Sequence, residues 1–332
     1  MHPPPAGAAR RERRLRGAHG HRPRLGALHR SVPPVPRSAR RESPPGGERI
    51  VKIGITFFLT DESLDIVDCG RAVEDLGYES YFAPEHTHIP TSRLSPYPAG
   101  GDLPREYFRT HDPLVVLSAM AVTTTRIRLG TGVLLLAQRD PIVTAKALAS
   151  IDHLSGGRLI VALGGGWNRD EIEAHGTPFA RRWRILADRV AIVRALWREE
   201  IASAETPSAR LAPSWMWPKP AQSGGPPLLM GGYGPGTFAR VLEYCDGWMP
   251  IPSRVADLGG RISELRSLAA ARGRPRPEVT VFGARMDAAA LTTLAAQGVD
   301  RALFWLRPGT PGETRDALAR GAAVAREAGL LG

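Results

Sequence analysis

The chain has 332 residues, 42% of them hydrophobic, and a formal net charge of +11. That length is enough for one barrel of ~250 residues plus extra segments. No apolar run approaches the ~20 residues of a membrane-spanning helix, and no secretory leader is visible, so a transmembrane or secreted protein is not expected.

The charge is concentrated at one end. Residues 1–49 hold 12 Arg, no Lys and 3 Glu, or +9, which leaves +2 for the remaining 283 residues. This segment is rich in Arg, Pro, Ala and Gly and has almost no large apolar side chains. It cannot bury enough surface to offset the entropy of ordering, so a disordered arm is expected. Basic arms suit nucleic acid or membrane surfaces. This one lacks aromatics and is interrupted by prolines, so neither partner is expected. A simpler reading makes it upstream sequence: Val51 fits a GTG start codon, and Gly46-Gly47-Glu48 fits a purine-rich ribosome-binding stretch. On that reading the arm need not be native, and residues 50–332 are the folded domain.

The first strand is expected over Val51 to Phe58. A helix follows from about Asp61, with Leu64, Val67, Val73 and Leu76 on one face and Gly77 closing it. The second strand, Ser80 to Ala83, runs into Pro84-Glu85-His86 and an irregular loop to about Arg109. The next helix spans Asp112-Pro113 to Thr124.

From Arg126 to Asn168 the chain reads as strand, helix, strand. The runs Ile127–Leu136 and Leu159–Leu163 do not alternate with polar residues, so both faces should be buried, as in a parallel sheet. Asp140 and Pro141 stand where an N-cap and first helical residue belong. Val143, Ala147, Leu148, Ile151 and Leu154 are expected to form the buried face, with Gly156-Gly157 as the stop.

A long helix is expected over Trp183–Arg198. An irregular insertion over residues 201–226 follows. The remaining strands are expected at Pro227–Met230, Gly247–Pro250, Glu278–Phe282 and Arg301–Trp305. Eight strand–helix pairs imply an α/β protein, a (β/α)8 TIM barrel with irregular insertions after the second and fourth strands. An open doubly wound sheet is the weaker alternative, since no G-x-G-x-x-G follows the first strand.

Cys69 and Cys245 sit among apolar neighbours and read as buried thiols in a cytoplasmic protein. No His/Cys/Asp cluster has metal-ligand spacing. No G-x-S-x-G elbow supports hydrolase chemistry.

In a (β/α)8 barrel the chemistry lies at the carboxyl ends of the strands. Glu85 and His86 follow the second strand, and His86 can exchange a proton near neutral pH. A surface-loop histidine is the plainer alternative, with His88 and His111 nearby. Gly164-Gly165-Gly166 could admit a flat ligand, with Trp167 and Asn168 lining the pocket; tight loop packing is the alternative. Gly231-Gly232-Tyr233-Gly234-Pro235-Gly236-Thr237 opens a helix and suits an anion such as phosphate. It is not a P-loop, because the Lys-Ser/Thr ending is missing.

The string IRLGTGVLLL…DP…AK.LAS.D.LSGGRL…GGGWN resembles the luciferase-like flavin and deazaflavin oxidoreductases, most of all the branch using coenzyme F420. The resemblance covers roughly residues 50–332. It implies a hydride-transferring oxidoreductase that acts on a small-molecule substrate as a homodimer, with no nucleic-acid or membrane partner. It places Glu85 and His86 against the cofactor ring, His86 as acid/base. It implies a non-proline cis peptide at Gly132-Val133 bracing the ring. It sets the cofactor phosphate at Gly231, Gly232, Tyr233, Gly236 and Thr237, with Arg181, Arg182 and Arg184 as candidates for an acidic tail. Sugar-phosphate-oxidising relatives carry an acidic residue near Trp167 that is missing here. Two alternatives remain: an FMN-dependent monooxygenase using oxygen, and a non-catalytic flavin-binding protein that would not need His86.

Overall fold

The computed structural model describes residues 51–331. The expectations for the basic arm therefore lie outside the described residues. The chain builds β1 (Lys52–Thr56), α1 (Ile66–Asp75), β2 (Ser80–Ala83), α2 (Glu106–Arg109), α3 (Pro113–Thr123), β3 (Arg128–Leu134), α4 (Pro141–Leu154) and β4 (Leu159–Leu163). It continues with α5 (Arg169–Ala174), α6 (Arg182–Arg198), β5 (Ala202–Glu205), β6 (Arg210–Ser214), β7 (Leu228–Gly231), α7 (Thr237–Tyr244) and β8 (Gly247–Met249). Last come α8 (Leu258–Ala271), β9 (Glu278–Ala284), α9 (Ala288–Ala296), β10 (Arg301–Trp305) and α10 (Pro311–Glu327).

Eight strands close into a parallel barrel in the order β1-β10-β9-β8-β7-β4-β3-β2. This is the (β/α)8 barrel expected. Its interior is filled by Phe82, Ile160, Ala162, Leu229, Met249 and Leu303. Gly130 is required there: a Cβ at that position would overlap the Phe82 ring. The larger apolar layer lies between strands and helices, with Ile53, Ile55, Leu117, Leu129, Leu148, Val161 and Leu186 fully or nearly fully buried.

Caps set the helix starts. Asp112 and Asp140 each accept two backbone N–H bonds, ahead of Pro113 and Pro141 at the first turns of α3 and α4. α1 begins later than expected, because Asp65, not Asp61, is the residue whose carboxylate accepts from Val67 and Asp68.

Two expectations are corrected. In α4, Val143 and Leu154 face out, at 69% and 56% exposed. The inner face instead holds Thr144, Ala145, Leu148, Ala149, Ile151 and Asp152. The polar members go inside because they have partners: Thr144 donates to the Asp140 carbonyl, and Asp152 accepts from the Gln222 backbone and side chain. Residues 201–226 are only partly irregular. β5 and β6 pair antiparallel around a turn in which Thr206 and Ala209 exchange hydrogen bonds. The alternation over four residues, followed by prolines, was too short a signal to mark this hairpin.

Candidate active site

The carboxyl ends of the strands surround a cavity of about 550 Å3. Glu85 and His86 leave β2 side by side and are 4% and 8% exposed, yet they turn to different partners. His86 Nδ1 donates to Oε2 of Glu171 at 2.6 Å. Oε1 of Glu171 accepts from the Thr87 N–H, the Thr87 hydroxyl and Gln138 Nε2, at 2.9, 3.2 and 3.1 Å. Burial pushes this carboxyl up, but the His86 bond and the other donors outweigh it and hold Glu171 below the ordinary carboxylate range. An ionised Glu171 is an acceptor only, so Nδ1 carries the proton and Nε2 is the nitrogen left for the cavity wall.

The Glu85 carboxylate is committed elsewhere. Oε1 takes Arg139 Nε at 2.6 Å, and Oε2 takes the Leu135 N–H at 2.7 Å. Full burial pushes Glu85 above its usual range against the pull of Arg139. Arg139, also bound to Asp112, is held charged. Glu85 lines the cavity and ties the β2 end to the segment after β3.

On the neighbouring strand, β3, the backbone bulges. The Gly132–Val133 peptide is cis, and the β3–β4 register shifts between Thr131 and Leu134. Val133 projects between two neighbouring strand ends. A Cβ on Gly164 would strike the Val133 side chain, and one on Gly231 would lie 2.9 Å from its Cγ1. The space at Gly165 is taken by the Trp183 ring, and that at Gly166 by Ile172. These glycines make room for the protein's own side chains, which then form the wall. Gly132, Val133, Gly164, Gly165, Gly166, Trp167, Gly231, Gly232 and Tyr233 all line the cavity.

Three predicted cofactor residues do not line it. Asn168 is buried, and its Oδ1 caps α5 by accepting from Glu171 N–H. At Gly236 the Cβ direction is filled by the Arg240 guanidinium. Thr237 instead lines a smaller adjoining cavity of about 200 Å3, with Tyr233, Gly234, Arg254 and Arg261. Gly232, at φ +118°, has only Thr237 Oγ1 near its missing side chain, and Gly234 has no atom within 4 Å. The turn is therefore an open cradle at the start of α7.

Positive charge gathers beside this cradle. Arg240 lies 4.0 Å from the Trp183 ring centroid, Arg182 lies 3.7 Å from that of Phe179, and Arg169 lies 4.9 Å from the same Phe179 ring. No carboxylate among the described residues forms a salt bridge with any of the three. Burial lowers the Arg182 pKa, and Arg240 and Arg169 lower it further. Arg184, named with Arg182 from the sequence, faces outward and pairs with Asp188. Arg181 is exposed and outside the cavity lining.

The sequence reading missed Glu171, Trp183, Arg139 and Arg240. Arg139 and Glu171 were hidden as ordinary charges beside a helix start. Among the described residues, no group of three or more His, Cys, Asp or Glu is placed to hold a metal ion. No helix among them is long and apolar enough to cross a membrane.

Comparison with known proteins gives a consistent picture. The family model described as luciferase-like monooxygenase matches residues 58–297. An uncharacterised protein of Mycobacterium tuberculosis is 37% identical over 255 residues, which is 76% of this chain and 90% of that protein. Another M. tuberculosis protein, whose name assigns it provisionally to the coenzyme F420-dependent oxidoreductases, is 30% identical over 156 residues, 42% of this chain and 44% of its own length. Among solved structures, the monooxygenase RslO1 from Streptomyces bottropensis superposes with a TM-score of 0.68 at 20% identity, covering 83% of this chain and 98% of its own. That likeness speaks for the fold.

Proposed function

The chain belongs to the luciferase-like monooxygenase family, and on that premise we propose that it is an oxidoreductase moving a hydride between coenzyme F420 and a small organic substrate. The observation that carries the deazaflavin reading is the group Arg169, Arg182 and Arg240 beside the glycine cradle. Three guanidiniums without carboxylates supply more positive charge than one phosphate needs. They suit a cofactor with a longer acidic tail. The relative named as an F420-dependent oxidoreductase supports the same assignment.

The residues present fit such a cofactor. The cradle at Gly232 and Gly234 would hold the phosphate, and Val133, clamped by Gly164 and Gly231, would back the ring. When bound, the deazaflavin supplies a ring carbon that accepts or returns a hydride. His86 does the proton work. Glu171 holds the imidazole by Nδ1, so that Nε2 takes the proton of a substrate oxygen in one direction and returns it in the other. Glu85 fixes the β2 end through Arg139 and the Leu135 amide.

We further propose a homodimer. Val115 and Val122 on α3 and Val143 on neighbouring α4 are 60%, 66% and 69% exposed and offer an apolar face to a second copy. The buried free thiols Cys69 and Cys245 suit a reducing cytoplasm. Titration of the purified protein with coenzyme F420 and with FMN tests the cofactor assignment.

A further inference from the structure

A strap of chain crosses the barrel mouth. Residues 93–104 belong to the loop after β2, and their tip meets the single helical turn Pro252–Arg254 after β8. β2 and β8 stand opposite each other in the eight-stranded ring, with β1, β10 and β9 between them on one side and β3, β4 and β7 on the other. Tyr97, Pro98 and Ala99 from the strap and Arg254 from the far rim line the same cavity as Val133. A cofactor ring backed by Val133 therefore shares its space with the strap.

The strap is held firmly at its foot and loosely at its tip. Ser95 is buried, and its hydroxyl donates to Asp170 Oδ2 at 3.1 Å and accepts from the Arg169 N–H at 2.9 Å, both in the first turn of α5. Tyr97 rests on Tyr107 and Trp167, with ring centroids 5.2 and 6.2 Å away. Beyond it, Pro98 and Ala99 are exposed. Gly100 and Gly101 are left-handed, at φ +82° and +70°, and no atom lies within 4 Å of either Cβ position. Across the mouth the tip is held by one bond, Arg254 Nη2 donating to the Pro98 carbonyl at 3.2 Å. A lone exposed hydrogen bond contributes little net stability, so this latch opens readily by itself.

The same guanidinium also faces the 200 Å3 cavity, which it lines with Gly234, Thr237 and Arg261. The glycine turn beside it is pinned to β8: Trp248 Nε1 donates to the Gly232 carbonyl at 2.7 Å, and the Gly232 N–H donates to the Met249 carbonyl at 3.3 Å. Among the described residues the bond to Pro98 is the one hydrogen bond of the Arg254 guanidinium, and its other donors are left for an anion. A guanidinium gripped by an anion on one edge has already lost its rotamer freedom. The bond to Pro98 on its other edge then costs less to form.

We propose that Arg254 links the two cavities: an anion at the glycine turn, supplied by the cofactor phosphate, steadies Arg254 and so latches the strap across the loaded mouth. This rests on the reading that a cofactor phosphate sits in the cradle, a group that coenzyme F420 and FMN share.

Hydrogen–deuterium exchange over residues 99–103 tests the link, on wild type and Arg254→Gln, each free and saturated with coenzyme F420 or with FMN according to its own fluorescence titration. In the wild type a bound cofactor should slow exchange by at least about threefold. In Arg254→Gln that slowing should disappear, while the free proteins differ little; Arg254 is exposed, and circular dichroism should show the barrel folded. If Arg254→Gln cannot be saturated, Arg254→Lys takes its place, with the slowing reduced. Slowing as large in the variant as in the wild type overturns the proposal, as does its absence in saturated wild type. A difference between variant and wild type that is the same in free and loaded protein also overturns it, since Arg254 would then merely tie two loops. If neither cofactor binds the wild type, the cofactor reading fails, and the link with it.

Discussion

The imidazole of His86 and the carboxylate of Glu171, 85 residues apart in the chain, meet at 2.6 Å in a buried pair. Because Glu171 also takes three other donor bonds, its position is fixed independently of His86. The pair therefore sets which nitrogen of His86 is free. Glu171→Gln replaces an obligate acceptor with a group that can also donate, and the imidazole loses its fixed tautomer. Turnover should fall by roughly 100-fold with cofactor affinity little changed. Steady-state kinetics beside a cofactor titration measure both. An unchanged kcat would remove Glu171 from the account.

Arg182→Gln with Arg240→Gln should weaken F420 binding by about tenfold and FMN binding less, because charge pairing near the surface is modest per pair and adds along a multiply charged ligand. Fluorescence titration of the two cofactors reads the difference. Equal losses for both would mean that the arginines serve only the shared phosphate.

Glu74 gives a pH-dependent prediction away from the site. Its carboxylate accepts from the N–H groups of Thr125, Arg126 and Ile127 and from the Thr125 hydroxyl, between 2.6 and 3.1 Å. Burial pushes the group up, but these donors outweigh it and hold its pKa at about 2, below the usual 4.5. The folded value lies below the unfolded one. The stabilisation is therefore fully present above the unfolded value and is lost as pH falls through the folded one. Glu74→Gln should cost about 1–3 kcal/mol at neutral pH. Urea unfolding should show the gap to wild type narrowing as acid is added from pH 4.5 toward 2. A gap that stays constant over that range would contradict the assignment.

The apolar face of α3 and α4 should hold a partner copy. Val122→Asp should shift the protein toward monomer with the barrel still folded, as read by light scattering and circular dichroism. A wild-type protein that is monomeric at micromolar concentration would remove the dimer.

The barrel was legible because its strands are short apolar runs and its caps are local: Asp112-Pro113 and Asp140-Pro141 announce their helices within four residues. The α4 face was misread because Thr144 satisfies its hydroxyl on the Asp140 carbonyl one turn back, and Asp152 looks polar until the fold brings Gln222 near. The same limit applies to the candidate site. Position at a strand end singled out Glu85 and His86, but not the partners, Arg139 and Glu171, to which the structure commits them. The glycine runs were visible, whereas the fact that Gly164 and Gly165 yield space to Val133 and Trp183 depends on contacts with β3 and α6. No local pattern marks Arg240 as a neighbour of Arg182.

The central claim is the deazaflavin, and one titration tests it most directly. Purified protein is titrated with coenzyme F420 and with FMN at low and high salt. F420 should bind more tightly, and its advantage should shrink at high salt, since exposed charges are screened within ~8–10 Å at ordinary ionic strength. It should not vanish, because packing of the ring against Val133 is insensitive to salt. Micromolar FMN affinity with no measurable F420 binding would contradict the account and favour an FMN-dependent monooxygenase.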